Sequence, residues 1–99
     1  MPGTLLNADQ LTSGAARLGP HWDANPERLV RTVEFPDFLT AVAFIDALAP
    51  IAEDLDHHPD LRLSWRTVEI TLATHSAGGV TDLDVTLADA VNVIVEWLT

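Results

Sequence analysis

The sequence predicts an α+β fold of two layers, in which a four-stranded antiparallel sheet carries helices on one face. Apolar residues recur at three- and four-residue steps in three segments, and they alternate with polar residues in the segments between them. The resulting order, α-β-β-α-β-β-α, is naturally packed as an antiparallel sheet covered on one side. Because 99 residues is the length of one domain, we expect residues 1–99 to form a single core.

The first helix is expected over the segment ADQLTSGAARL. Asn7 precedes it and Gln10 occupies its third position, which is the pattern of a capping box. Gly19-Pro20 follows the segment and favours a stop at that point. This helix therefore carries both a start signal and an end signal.

The second helix is expected to begin after Pro36 and to bury one apolar stripe. Pro50 lies inside the stripe, where it removes a backbone donor and should kink the helix. The helix should end near His57, because a residue close before a proline avoids the α region. The stripe comprises Phe38, Ala41, Val42, Ile45, Leu48, Ala49, Ala52 and Leu55.

The last helix is predicted to start after Thr81, a good N-cap, with Asp84 at its third position as a second capping box. Its end, VNVIVEWL, is β-branched and is compatible with a strand. A period of 3.6 residues sustained from Leu83 favours a helix instead. Its core positions are Leu83, Leu87, Val91, Ile94 and Leu98.

Two pairs of strands complete the prediction. HWDANPERLVRTVEFP indicates a hairpin turning at Asn25-Pro26, and LRLSWRTVEITLATH indicates two strands whose alternation changes phase between Trp65 and Val68. A sheet of only four strands exposes its edges, so edge pairing between two copies of the chain is expected.

Composition narrows the possible partners. Fifteen acidic residues against five arginines and no lysine give a formal charge of −10, which disfavours nucleic acids and anionic membrane surfaces and favours a small, weakly charged ligand. The absence of cysteine excludes thiolate nucleophiles and cysteine-based zinc sites. The opening segment lacks the pattern of a secretory signal, and no apolar run approaches the ~20 residues of a membrane span, so a cytoplasmic location is expected.

The stretch EDLDHHPD, residues 53–60, combines four carboxylates with two adjacent histidines. Glu53 and His57 are spaced to share a helix face, as are Asp54 and His58, and a carboxylate beside an imidazole stabilises its protonated form. These groups suit acid/base catalysis. Taken alone, however, the stretch is better explained as a solvated helix end. A metal site is disfavoured, because adjacent histidines cannot both point at one ion in regular structure.

Further residues at fixed spacing resemble the signature of the pterin-4a-carbinolamine dehydratases. The signature positions are Glu53, His57-His58-Pro59, Trp65, His75 and Asp84, and they are accompanied by the Trp22 segment, EFPDF, VEITLATH and GGVTDLDVTLA. The resemblance spans about residues 5–98. It makes a solvated helix end the less favoured interpretation.

The resemblance implies a dehydratase that needs no cofactor and no metal, because the pterin is its substrate. Such enzymes remove water from the 4a-hydroxytetrahydropterin left by an aromatic amino acid hydroxylase and yield quinonoid dihydropterin. The family fold is a two-layer domain that forms dimers or dimers of dimers. A homodimer, or a dimer of dimers, is therefore expected here.

The resemblance also implies roles for individual residues. His57 and His75 are the candidates for acid and base, and His58 is a pterin ligand or proton relay. The remaining residues would orient the imidazoles or line the pterin. Asp84 would fix His75, and Trp65 would be either a wall of the pocket or part of the core. The full set is Glu53, Asp56, Pro59, Trp65, Thr74, Ser76 and Asp84.

Two positions depart from the family pattern, and two other functions compete. Leu83 stands where animal members carry an arginine, and Pro50 lies in a helix that the family keeps regular. The first alternative is a non-catalytic interaction or assembly module on the same fold, which the presence of His57, His58 and His75 disfavours. The second is a metal-dependent hydrolase, which the missing cysteines and adjacent histidines disfavour.

Overall fold

The structure, a computed structural model that describes residues 3–99, has the predicted architecture. Four antiparallel strands form one sheet, in which the order of neighbours is Asp23–Ala24, Leu29–Glu34, Thr67–Leu72 and Asp60–Ser64. The predicted fold class and element order are therefore confirmed. The elements are α1 (Ala8–Leu18), β1 (Asp23–Ala24), β2 (Leu29–Glu34), α2 (Phe38–Leu55), β3 (Asp60–Ser64), β4 (Thr67–Leu72) and α3 (Asp82–Leu98).

The core lies between the helices and one face of the sheet. Leu29 and Val33 of β2 are buried beside Val68, Ile70 and Leu72 of β4, whereas the intervening residues of both strands are exposed or half-buried. This alternation, which is complete in β4, leaves the other face of the sheet open. A side chain on the sheet therefore faces either the helix layer or the open side.

The predicted stripe of α2 is rotated in the structure. Phe44, which the stripe left out, is fully buried with its ring centroid 5.3 Å from that of Phe35. Phe38 opens the helix and is half exposed. A hydrophobic period identifies a helix but does not decide which of two neighbouring faces meets the sheet.

Both predicted capping boxes are present. Asn7 and Gln10 exchange side-chain and backbone hydrogen bonds at the start of α1, and Thr81 and Asp84 do so at the start of α3. The sequence analysis did not single out Asp37, whose carboxylate accepts from the backbone of Thr40 at 2.7 Å and caps α2. Hydrogen bonds from Thr40 lower the pKa of the Asp37 carboxyl.

The end of α2 differs from the prediction. The helix runs through Pro50 and ends at Leu55, and Asp56 then adopts a left-handed conformation with φ of 49°. The backbone N–H of His57 donates to the carbonyl of Ala52, a contact typical of a left-handed helix end. His57 and His58 therefore lie beyond the helix, and the expected helix face shared by Glu53 and His57 is wrong.

No helix within residues 3–99 is both long enough and apolar enough to cross a membrane.

Candidate active site

His57 and Asp84 form a buried pair at the junction of α2 and α3. Nε2 of His57 lies 2.5 Å from Oδ1 of Asp84, although the two residues are 27 positions apart in the chain. The Asp84 side chain is fully buried and the His57 side chain is 10% exposed. A charge-assisted hydrogen bond of this length in a water-poor site is strong, so it fixes the orientation of the ring.

The second oxygen of Asp84 is held by two further donors. Oδ2 accepts from the hydroxyl of Thr74 at 2.8 Å and from the backbone N–H of Thr81 at 2.9 Å. Because the Thr74 hydroxyl donates to Asp84, it must accept from the Thr81 hydroxyl 2.8 Å away. The Thr81 hydroxyl in turn accepts from the N–H of Leu83. Every polar atom of this buried chain has a partner.

Asp84 thus has both of the roles predicted for it, as a helix cap and as a partner of an imidazole. Its Oδ2 closes the capping box of α3, while its Oδ1 faces an imidazole. That imidazole belongs to His57 and not to His75, so the expected Asp84–His75 contact is wrong. When Oδ1 of Asp84 is the acceptor in this hydrogen bond, Nε2 of His57 carries the proton, and Nδ1 is left able to exchange one.

His58 points away from this pair. Its Nε2 lies 2.8 Å from Oε1 of Glu53, and both side chains are largely exposed. His58, Glu53 and Pro59 border a small cleft of about 160 Å³ between α2 and β3, whose remaining lining is apolar. Glu53 therefore orients His58 rather than His57.

His75 borders a second, larger cleft on the open side of the sheet. This cleft has a volume of about 420 Å³ and also includes Thr74 and Asp60. The His75 side chain is 85% exposed, and its Nε2 lies 4.0 Å from Oδ2 of Asp60. Thr74 connects the two halves of the site, because its hydroxyl holds Asp84 while the residue itself lines the cleft of His75.

The other predicted site residues are distributed around these clefts. Asp56 is the exposed C-cap of α2, and its carboxylate forms no hydrogen bond to a histidine within residues 3–99. Ser76 lies exposed in the short 3-10 turn His75–Ala77 that follows β4. Asp56 and Ser76 therefore flank the site without joining the hydrogen-bonded chain around Asp84.

Trp65 lies at the turn between β3 and β4. It is 70% exposed with φ of 54°, so it does not belong to the core. Its ring stacks against the guanidinium of Arg66, 4.6 Å from the ring centroid. The pairing of β3 with β4 places this turn at the opposite end of the hairpin from Asp60, which borders the cleft of His75. Within one chain, Trp65 is therefore separated from the histidines.

Three residues that were not predicted from the sequence, Glu27, Arg28 and Asp60, line the cleft of His75. Thr81 was predicted as an N-cap but not as a member of the buried hydrogen-bonded chain around Asp84. Glu27 and Arg28 precede β2, nearly fifty positions before His75, and reach it only through the sheet. Asp60 belongs to the stretch EDLDHHPD, but its position in the sequence does not indicate that it lies near His75.

Replacement of Thr74 by valine is expected to destabilise the fold by about 1–3 kcal/mol, because a buried carboxylate oxygen loses a donor at nearly constant side-chain volume. Thermal or urea unfolding measures this directly. The matched control is Thr67→Val, on the open face of β4, where a β-branched apolar residue suits a strand and little change is expected. Equal stabilities for the two variants would contradict the buried hydrogen bond.

Comparison with known proteins decides the family. The sequence profile described as Pterin 4 alpha carbinolamine dehydratase matches residues 4–94. The chain belongs to this family. The family is one of hydro-lyases, and the predicted resemblance is confirmed.

Individual relatives that carry the family name match most of the chain. A protein of Mycolicibacterium smegmatis that carries the family name is 41% identical over 88 residues, covering 89% of this chain and 93% of its own. A crystal structure titled transcriptional coactivator/pterin dehydratase, from Brucella melitensis, has a TM-score of 0.83 at 37% identity, covering 90% of this chain and 96% of that one.

A more distant structure shares the fold alone. A pterin dehydratase-like protein described as a RuBisCO assembly factor in the alpha-carboxysome has a TM-score of 0.61 at 24% identity. The match covers 74% of this chain and 84% of that one.

Proposed function

We propose that this chain dehydrates 4a-hydroxytetrahydropterin to quinonoid dihydropterin by histidine acid/base catalysis. Membership of the pterin carbinolamine dehydratase family supports the substrate class. The observation that supports acid/base catalysis is the hydrogen bond between His57 and the fully buried Asp84. This bond orients the imidazole and occupies one of its two nitrogens.

The reaction breaks one C–O bond and moves two protons. The lone pair of N5 forms the double bond to C4a as the hydroxyl leaves, an acid protonates the leaving oxygen to give water, and a base takes the proton from N5. Nothing is oxidised or reduced. The reaction therefore needs one group that gives a proton and one that accepts a proton at a flat bicycle, and no electron carrier.

Two imidazoles of this chain fit these tasks. His57 and His75 act as the acid and base, and Thr74 connects the carboxylate that orients His57 with the cleft that His75 borders. His58, held by Glu53, is a pterin ligand or proton relay. Pro59 lines the pocket beside His58. Asp56 and Ser76 are exposed polar residues next in the chain to His57 and His75, and they orient the imidazoles or contact the pterin.

Activity is expected to survive removal of metal ions. Within residues 3–99, no group of three or more histidine, aspartate or glutamate side chains is arranged to hold a metal ion. Dialysis against a strong chelator should therefore leave kcat/KM unchanged, measured against a sample dialysed without chelator. Loss of activity that returns on adding zinc would support the metal-dependent hydrolase instead.

The proposal extends to the setting of the enzyme. The reaction returns the oxidised pterin of an aromatic amino acid hydroxylase toward reuse, so functional coupling to such a hydroxylase in the cytoplasm follows from the substrate. A homodimer, or a dimer of dimers, is supported by β3, whose outer edge is unpaired within the described chain. Size-exclusion chromatography with light scattering tests that assembly.

The activity itself is tested by producing the carbinolamine in situ. An aromatic amino acid hydroxylase generates 4a-hydroxytetrahydropterin, and the ultraviolet decay of this compound is followed with and without the chain. We expect micromolar protein to accelerate the decay. No acceleration would favour a non-catalytic interaction or assembly module. The RuBisCO assembly factor that shares this fold is the reason to consider that alternative.

A further inference from the structure

The cleft that His75 borders has a second wall, built from the loop between β1 and β2. Glu27 and Arg28 of this loop face the same space of about 420 Å³ as His75, Thr74 and Asp60. Both loop residues are exposed. A carboxylate and a guanidinium thus line the same cleft as the proposed catalytic histidine.

The loop that carries Glu27 and Arg28 is held in place. The side-chain oxygen of Asn25 accepts from the backbone N–H groups of Glu27 at 2.8 Å and of Arg28 at 3.0 Å. The carbonyl of Pro26 accepts from the N–H of Val80 at 3.0 Å, which ties the loop to the segment just before α3. The position of Glu27 and Arg28 is therefore set by backbone contacts rather than by a mobile loop.

Gly79 makes this tie possible. A Cβ atom at Gly79 would lie 2.4 Å from the carbonyl oxygen of Pro26, closer than any real contact of that kind. Only glycine lets the backbone at position 79 approach the loop so closely. The loop and the Thr74–Gly79 bridge thus form one continuous rim around the cleft.

The two loop side chains are free to bind a ligand. Neither Glu27 nor Arg28 forms an ion pair with another residue between positions 3 and 99, whereas Arg17 pairs with Asp89 and Arg66 pairs with Glu34. A free carboxylate offers two acceptors and a free guanidinium offers up to five donors. Together they match a ligand edge that presents both donors and acceptors.

We infer that Glu27 and Arg28 recognise the 2-amino-4-oxo pyrimidine edge of the pterin. The 2-amino group and N3–H are parallel donors that a carboxylate accepts in bidentate fashion, and the 4-oxo group is an acceptor for a guanidinium. This inference rests on the proposed function, and it adds two residues that determine specificity without taking part in proton transfer.

This orientation agrees with the position of the histidine. C4a is bonded to the carbon of the 4-oxo group, and N5 is next to C4a. When the pyrimidine edge is held by Glu27 and Arg28, the reacting C4a–N5 bond is left to the other residues that line this cleft, which include Thr74 and His75. Recognition by Glu27 and Arg28 and proton transfer by His75 then take place in one cleft.

The test is a binding comparison by calorimetry with two stable probes, 7,8-dihydropterin and 7,8-dihydrolumazine, which carries a 2-oxo group in place of the 2-amino group. The wild-type chain should bind the pterin about tenfold more tightly than the lumazine, because the change replaces a donor to a carboxylate by an acceptor. E27Q should weaken pterin binding about tenfold and bring the ratio between the two probes close to one. The matched control E96Q, an exposed acid on α3, should leave both affinities unchanged.

The guanidinium is tested in the same way. R28A should weaken both probes by a similar factor, since both carry a 4-oxo group, and R62A, an exposed arginine on the open face of β3, should weaken neither. If E27Q and R28A bind both probes as the wild type does, while the wild type binds and dehydrates, this inference is overturned and the proposed function stands. If the wild type neither binds pterin nor dehydrates the carbinolamine, the proposed function fails, and the inference with it.

Discussion

Replacement of His57 by alanine is expected to lower kcat/KM for the carbinolamine by about 10²–10⁴-fold, the contribution that a positioned acid or base typically makes. The ring is held by Asp84 at 2.5 Å and its backbone by the end of α2, so the imidazole has a fixed position that alanine cannot reproduce. The ultraviolet assay measures the loss. His21→Ala is the matched control, because His21 is exposed on the loop after α1.

Loss of activity in His57→Ala must be separated from loss of folding. The substitution leaves Oδ1 of the buried Asp84 without its partner, which costs about 1–3 kcal/mol of stability, so the melting temperature is measured on the same sample. His75→Ala provides a second test, because this side chain is 85% exposed and contributes little to the fold. Activities near the wild-type value in both variants would contradict the histidine mechanism.

Replacement of Asp84 by asparagine is expected to give the second-largest effect, a fall in kcat of about 10²–10⁴-fold in a folded protein. Asparagine must keep its carbonyl oxygen where Oδ2 accepts from Thr74 and Thr81, which turns its amide nitrogen toward His57. Nε2 of His57 then has to accept instead of donate. The ring proton moves to Nδ1, which can no longer act as a base.

The position of that proton gives Asp84→Asn a readout that a purely structural role would not affect. Nitrogen-15 NMR of the histidine rings should show the proton of His57 on Nε2 in the wild type and on Nδ1 in the variant. Asp82→Asn serves as control, because Asp82 is also an acid in the first turn of α3 and is exposed. An Asp84→Asn protein with wild-type kcat would remove Asp84 from the mechanism.

Local signals in the sequence predicted much of the fold. The capping boxes at Asn7 and Thr81 depend on residues three positions apart, and the alternation in β2 and β4 depends on residues two positions apart. Such patterns are complete within one segment. They predicted the type and order of every helix and strand, and the helix assignment of the β-branched end of α3.

The pairing within the site could not be predicted from local signals. Asp84 contacts His57 and not His75 because α2 and α3 pack together, a contact between segments far apart in the chain. The end of α2 at Leu55 depends on Asp56 adopting a left-handed conformation, for which the sequence gives only a weak indication. Trp65 fits the spacing of the family signature, yet the hairpin carries it away from the histidines.

The most direct test of the central claim is the first-order decay constant of 4a-hydroxytetrahydropterin as a function of protein concentration. The wild-type chain should raise this constant in proportion to its concentration, and the His57→Ala/His75→Ala double variant should leave it at the uncatalysed value. A decay constant that does not change with wild-type concentration would contradict the account. The account would also be contradicted if the folded double variant raised the decay constant with concentration as steeply as the wild-type chain.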